Sequence, residues 1–328
     1  MSSPVEGETN PGRVIWSRRI GYVLGLAALI VMSAYVIRRR DVVATLRHVR
    51  PGHLVGLASV SLAVSVANGL RFAAAVRVYG LRLTFSAWYG MSVVNTMLNY
   101  ALPAQGGTAM KGAYMKRRYG FSYTDFTALT ASSELLALAT AGLLGVISWA
   151  LVPGIDEAGS SAVLGLLVAT ILAAVGGVVV LAQPSVLSWM KGKWGRRLAR
   201  FSDGVRAWAS RRVLAGAYAG WTVVWLVLQG LRLGIAFAAV GVAVDPVSLL
   251  LIQSLVAISG AVSTIPGNLG LREGVASLSA GLLGLDADLA LLASLVDRAV
   301  SLVFVIVIGL IYTRVLARQP EPDEADVT

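Results

Sequence analysis

Long apolar runs punctuate this chain and constrain it more than any other feature. They extend from Gly21 to Ile37, His53 to Val76, Ser86 to Leu102, Phe126 to Val152, Ser161 to Ala182, Val213 to Val240, Val247 to Ile265 and Leu289 to Tyr312. A bilayer core takes about 20 apolar residues per helix, so most of these runs have spanning length. A further piece, Val275 to Leu285, is too short to cross. The expected fold class is therefore all-α, a polytopic membrane helix bundle. Only 14% of the residues are charged and 56% are apolar. Soluble domains carry roughly 25% charged residues, which argues against a cytosolic enzyme and against a disordered chain. The net charge of +11 then suits anionic lipid headgroups. Too little of the chain is polar for a nucleic-acid partner.

Other classes of chemistry are not expected. Cysteine is absent, which rules out disulfides and thiolate metal sites. His48 and His53 lie near a span boundary with no carboxylate cluster, so no metal site is expected. There is no Walker-type phosphate loop and no dinucleotide fingerprint, so no cofactor is expected. The first run follows Arg13, Arg18 and Arg19, as a signal peptide does. It ends, however, in Arg38-Arg39-Arg40 rather than in small residues and reads as a retained anchor.

Charge in the connections orients the chain. Pro153 to Ser160 holds Asp156 and Glu157 and no Lys or Arg, whereas Pro184 to Arg212 holds Lys191, Lys193 and six arginines. The positive-inside rule puts the first outside and the second in the cytoplasm. This divides the chain into a cytoplasmic tail (1–19), a membrane domain (20–313) and an acidic flexible tail (314–328), multi-pass in the cell membrane with both termini cytoplasmic. Within 184–212, Trp194, Leu198, Phe201, Val205 and Trp208 share one helical face, the pattern of a helix lying among headgroups. Each Lys or Arg there is worth on the order of 1 kcal/mol against anionic lipid. The same pattern also fits a topology anchor with no part in substrate handling.

The membrane domain echoes itself. Asn68-Gly69-Leu70-Arg71 resembles Gln229-Gly230-Leu231-Arg232 at an offset of 161, which Gly80 and Gly241 share. Pro103 and Pro266, Asp125 and Asp288, and Glu134 and Asp297 stand 163 apart. Two repeat units follow, at about 53–152 and 213–313. Each has a break after its second run: Pro103, Gly106 and Gly107 in the first, Pro266, Gly267, Asn268 and Gly270 in the second. Pro removes a donor and Gly relaxes the backbone, so helices should stop there. Broken backbone survives at membrane depth only where protein or water satisfies it. Each break then predicts a re-entrant hairpin, and tracing the chain through both makes the repeat inverted. A rival trace turns both long hairpin arms into full spans and moves both termini outside.

Charges inside apolar surroundings mark candidate sites, since each costs roughly 2.5–3.5 kcal/mol at a span centre. They are Arg71, Glu134, Arg232, Asp297 and Arg298, with Arg272 and Glu273 at the second break and Lys111 after the first. Asp297 and Arg298 are adjacent and point different ways, so cross-pairs of Arg272 with Asp297 and of Arg298 with Glu273 are expected. A purely structural ion network is the competing reading. Arg71 stands near a span end, where it could equally snorkel. Half-helix N-termini at the two breaks favour an anion, with Lys111 and Arg272 nearby.

At Ile265-Pro266-Gly267-Asn268-Leu269-Gly270-Leu271-Arg272-Glu273-Gly274, followed by Gly284 and Arg298, the sequence resembles the transmembrane-domain family of lysylphosphatidylglycerol synthases. That family also occurs as free-standing flippase-like membrane proteins. The upstream family signature is similar at Asn95, Asn99, Pro103, Gly106, Lys111 and Gly120. Three positions depart from the pattern: Asn268 replaces a Gly, Gly107 stands where a Glu is common, and Leu135 follows Glu134 where an Arg is common. The synthase's soluble catalytic domain has no counterpart in this sequence, so lysine transfer is not implied. The resemblance implies a non-enzymatic lipid transporter for an anionic, aminoacylated or polyprenyl-linked lipid. The alternative is a non-transporting membrane scaffold or accessory subunit that partners an enzyme of envelope lipid or glycolipid synthesis. A membrane-embedded transferase is the third possibility, for which no paired catalytic carboxylates stand out.

Overall fold

The computed structural model describes residues 30, 49–102, 106–152, 157–182, 193–262 and 265–318. The expected first span (Ile30 aside), Pro103, Asp156 and residues 319–328 of the acidic tail lie outside the described residues. The described residues form ten α-helices: α1 (Pro51–Arg77), α2 (Phe85–Ala101), α3 (Gly106–Tyr119), α4 (Tyr123–Leu151), α5 (Glu157–Ala182), α6 (Lys193–Ser210), α7 (Arg212–Ala239), α8 (Pro246–Val262), α9 (Leu271–Leu282) and α10 (Ala287–Ala317). No strand occurs among the described residues. Five helices are long and apolar enough to cross a membrane: α1, α4, α7, α10 and the Ser160–Val180 part of α5. The helices α2 and α8, with 17 residues each, are shorter.

Local signals account for the boundaries. Pro51 occupies the first helical position of α1, where its missing N–H costs nothing. The helix ends at Gly80, whose φ of +83° lets Leu81 N–H reach back to the Val76 carbonyl at 3.3 Å. The end of α7 repeats this, with Gly241 at φ +82° and Val242 N–H on the Phe237 carbonyl at 2.9 Å. The Ser122 hydroxyl caps α4 by accepting from Asp125 N–H at 3.1 Å, and the Asp286 carboxylate caps α10 by accepting from Asp288 and Leu289 N–H. Asp245 caps α8 through the N–H groups of Val247 and Ser248 at 3.0 and 2.9 Å.

Packing comes in matched pairs. Helix α1 lies along α7. Helix α2 packs on α10, and α8 packs on α4. The pairs α1–α2 and α7–α8 correspond in the same way, as do α2–α3 and α8–α9, α3–α4 and α9–α10, and α1–α10 and α7–α4. The long crossings rely on absent side chains. A Cβ at Gly309 of α10 would stand 2.6 Å from Met97 Sδ of α2, and one at Gly145 of α4 would stand 3.2 Å from Ser254 Cβ of α8. Apolar side chains such as Leu172, Val175, Val303, Leu310 and Ile311 point outward, as a lipid-facing surface requires.

Helix α6 stands outside this pairing and rests on α4, α5 and α7. Of its expected apolar face, the described side chains are Val205 and Trp208. Both are buried, and Trp208 Nε1 donates to Ser132 Oγ at 3.0 Å. This end of the face therefore covers protein rather than lipid.

Candidate functional site: an ionic clamp beside a polar chamber

The second break is built around α10. After α8 stops, a 3₁₀ turn at Pro266–Asn268 leads to α9. Gly267, Asn268 and Gly270 have φ of +57°, +53° and +78°, a left-handed run that leaves carbonyls without helical partners. Arg298 supplies them: Nη1 donates to the Gly267 carbonyl at 2.9 Å and Nη2 to that of Asn268 at 3.3 Å. Its Nε forms an ion pair with Glu273. The other Glu273 oxygen accepts from Gly270 N–H at 2.9 Å, so this carboxylate starts α9 where its dipole favours negative charge. Glu273 is fully buried.

The neighbouring Asp297 faces another way and carries two arginines. Arg232 of α7 approaches through Nε at 2.6 Å and Nη2 at 3.2 Å, and Arg272 of α9 through Nη2 at 2.8 Å. Both expected cross-pairs are thus formed, and Arg232 joins them. Three guanidinium groups meet two carboxylates, leaving one formal positive charge. Such a buried cluster is tolerable only because each charge has partners.

Next to this clamp lies a chamber of about 380 Å³, lined by residues of both halves, among them Arg71, Asn95, Glu134, Gln229, Gln253 and Arg272. A smaller lobe of about 120 Å³ shares Asn68, Arg71, Asn95, Thr108 and Glu134 with it and adds Lys111 and Ser133. Arg71 does not snorkel. It is buried, with Nε donating to Thr222 Oγ1 and Nη2 to Tyr218 OH, both at 3.1 Å, and its guanidinium lies 4.7 Å from the Trp225 ring centre. Among the described residues no ion pair involves Arg71. Lys111 Nζ stands 3.3 Å from the centre of the Phe72 ring. The lining thus presents two cations and the Glu134 carboxylate to the same space.

Helix register explains why Arg71 has no ion pair among the described residues. Helices α4 and α10 begin at Tyr123 and Ala287, 164 residues apart rather than the expected 163. Counted from these starts, Ser133 stands on α4 where Asp297 stands on α10, and Glu134 stands where Arg298 stands. Arg71 and Arg232 keep their offset of 161. One arginine meets a carboxylate, and its counterpart meets hydroxyls.

At the first break, Asn99 Oδ1 accepts from Gly107 N–H at 2.9 Å. A Cβ at Gly107 would overlap the Asn95 carbonyl, so this half-helix start needs glycine and leaves no room for the carboxylate common there in similar sequences. Gly106 opens α3.

The structure gathers Arg232, Arg272, Glu273, Asp297 and Arg298 into one cluster, and places Glu134 on the lining of the chamber and Lys111 on that of the smaller lobe. Sequence reasoning left Arg71 balanced between a site and a snorkelling role, and missed Gln229 and Gln253 as site residues. The available signal was a set of single polar side chains inside apolar runs. Among the described residues no group of three or more His, Cys, Asp or Glu is placed to hold a metal ion.

These elements define a multi-pass helical membrane protein with a charged interior. The chain belongs to the family described as the lysylphosphatidylglycerol synthase TM region, whose pattern it matches over residues 20–309. It is also 36% identical over 113 residues to a UPF0104 membrane protein of Methanothermobacter thermautotrophicus. That match covers 34% of this chain and 32% of the relative, so the chain spans about a third of the curated relative's length.

Proposed function

We propose that the protein is a lipid transporter of the cell membrane, moving a lipid with an anionic headgroup between leaflets, with both termini cytoplasmic. It is not an enzyme in this reading, and its working partners are membrane lipids. The two broken helix pairs, α2–α3 and α8–α9, are re-entrant hairpins of an inverted repeat. The exchange of packing partners between halves supports this, as do the paired ends at Gly80 and Gly241 and the paired caps at Ser122 and Asp286. Transporters built this way hold substrate near the midplane between repeats.

One observation carries the reading: buried Arg71, with no ion pair among the described residues, lines a chamber between the halves with Lys111 beside it, two cations facing the single Glu134 carboxylate. Such an excess of positive charge at membrane depth is costly unless an anion visits it. The anion enters at Arg71 and Lys111, and Arg272, already shared with Asp297, is the group through which occupancy reaches the clamp.

The test is leaflet exchange of labelled lipids in proteoliposomes. Wild type should accelerate exchange of an anionic lipid, and Arg71→Gln should lower the rate at least tenfold. Equal rates for wild type and Arg71→Gln would remove that residue from the mechanism. No exchange with any lipid, together with stable co-purification of a lipid-synthesis enzyme, would establish the scaffold instead.

A further inference from the structure

Resting on the transport reading, the chamber specifies more than a charge. Gln229 and Gln253 are only 8% and 2% exposed and come from different helices, α7 and α8. Their Oε1 atoms, and Oδ1 of Asn95, are buried without a hydrogen-bond partner among the described residues. All three side chains line the same 380 Å³ space. An unmet buried acceptor costs about 1–3 kcal/mol; the three oxygens have almost no accessible surface as they stand, so a donor in the chamber meets them only when the amides turn toward it.

The chemistry of those donors is narrowed by the carboxamide itself. Each amide offers an acceptor oxygen and two N–H donors, and exchanging O and N in the assignment changes nothing in that count. A phosphate oxygen accepts and leaves amide oxygens unmet. An ammonium donates to the amide oxygens but offers nothing to an amide N–H. A hydroxyl does both. The cations are placed differently: Arg71 lines both lobes, as Glu134 does, Lys111 lines only the smaller, and Arg272, already held by Asp297, lines only the larger with Gln229 and Gln253. The larger lobe alone falls within the usual size range of small-molecule sites.

We infer that the transported headgroup is a polyhydroxylated phosphate, a cyclic polyol or sugar joined through a phosphate to its lipid. The phosphate sits in the smaller lobe between Arg71 and Lys111, and the hydroxyls face Gln229, Gln253 and Asn95. The same chemistry can come from a glycerophospholipid bearing a polyol or from a polyprenyl phosphosugar.

Binding of soluble headgroups to the full-length protein in nanodiscs tests this without requiring transport. Calorimetric titrations would use inositol 1-phosphate, glucose 1-phosphate, phosphoethanolamine and inorganic phosphate. One of the first two should bind at least tenfold tighter than either of the others. Gln253→Met and, separately, Gln229→Met should each reduce that preference at least fivefold while leaving inorganic phosphate unchanged; having two sites keeps the test valid if one variant does not fold. Arg71→Gln should weaken all four. Dioctanoyl phosphatidylinositol against a short-chain prenyl phosphoglucose then separates the two sources. Equal affinity for inorganic phosphate and both polyol phosphates, or a preference for phosphoethanolamine, overturns the inference, as does a preference unchanged in both glutamine variants. Exchange of anionic lipid without hydroxyl preference would sink this inference alone. Hydroxyl-selective binding without exchange would sink only transport.

Discussion

Asp297 is the residue whose loss should be felt most. It is 1% exposed and receives two guanidinium groups, Arg232 at 2.6 Å and Arg272 at 2.8 Å. Asp297→Asn keeps the shape and removes the charge. The local sum over Arg232, Asp297 and Arg272 rises from one formal positive charge to two, in a place where water cannot disperse it. Breaking a buried pair in this way costs about 3–5 kcal/mol. For a protein of this size that corresponds to roughly 4–7 °C in a thermal midpoint. The assay is intrinsic-fluorescence unfolding in one detergent at one scan rate, because membrane proteins rarely unfold reversibly. A second substitution sharpens the argument. In the wild-type background Arg272→Gln removes one of two partners and should lower the midpoint modestly. In the Asp297→Asn background it removes a repelling charge and should raise the midpoint. The reasoning fails if Asp297→Asn costs less than about 1.5 °C, the equivalent of roughly 1 kcal/mol. It also fails if Arg272→Gln lowers the midpoint equally in both backgrounds.

Gly267→Ala meets two obstacles, a φ of +57° and the Tyr100 ring. It should cost at least about 1–2 kcal/mol by the backbone alone, and adding Tyr100→Ala should recover only the steric part in the same unfolding assay. Asp245→Ala should lower stability by about 1 kcal/mol through loss of the α8 cap. Partial burial works to raise the Asp245 pKa, but the Ser248 hydroxyl and the N–H groups of Ser248 and Val247 outweigh it and hold the carboxyl below its ordinary value. That contribution is therefore complete above about pH 4 and fades as pH falls through the depressed folded value; a pH series should show wild type approaching Asp245→Ala at the acid end. Gly309→Leu should push α10 off Met97 of α2 and lower the yield of folded protein, whereas Gly165→Leu, where a Cβ meets nothing within 4 Å, should be neutral.

Much of this architecture was readable beforehand because hydrocarbon imposes a strict grammar. The run Val213 to Val240 became Arg212–Ala239, and Leu289 to Tyr312 became the longer Ala287–Ala317, whose last turn carries the polar Arg314. The short piece expected from Val275 begins instead at Leu271. Arg272 and Glu273 resemble loop residues in a hydropathy profile, yet they form the first turn of α9, with Glu273 capping it. The pairs Arg272–Asp297 and Glu273–Arg298 were inferable since both are 25 residues apart, each joining one of the neighbours Arg272 and Glu273 to one of the neighbours Asp297 and Arg298. Arg71 was not, because its partners Tyr218 and Thr222 come from the other half, 147 and 151 residues away. Gln229 and Gln253 were obscured for a related reason: a lone amide in an apolar run reveals its surroundings only once another helix is laid beside it.

Arg298 deserves a last chemical distinction. One planar guanidinium binds a carboxylate and two peptide oxygens of the α8–α9 turn at once. Lysine would deliver the same charge as a single compact ammonium, without the rigid fork that spans three acceptors. It follows that this position discriminates by shape, and that the bend in the backbone is bolted by a geometry no other cationic side chain can copy.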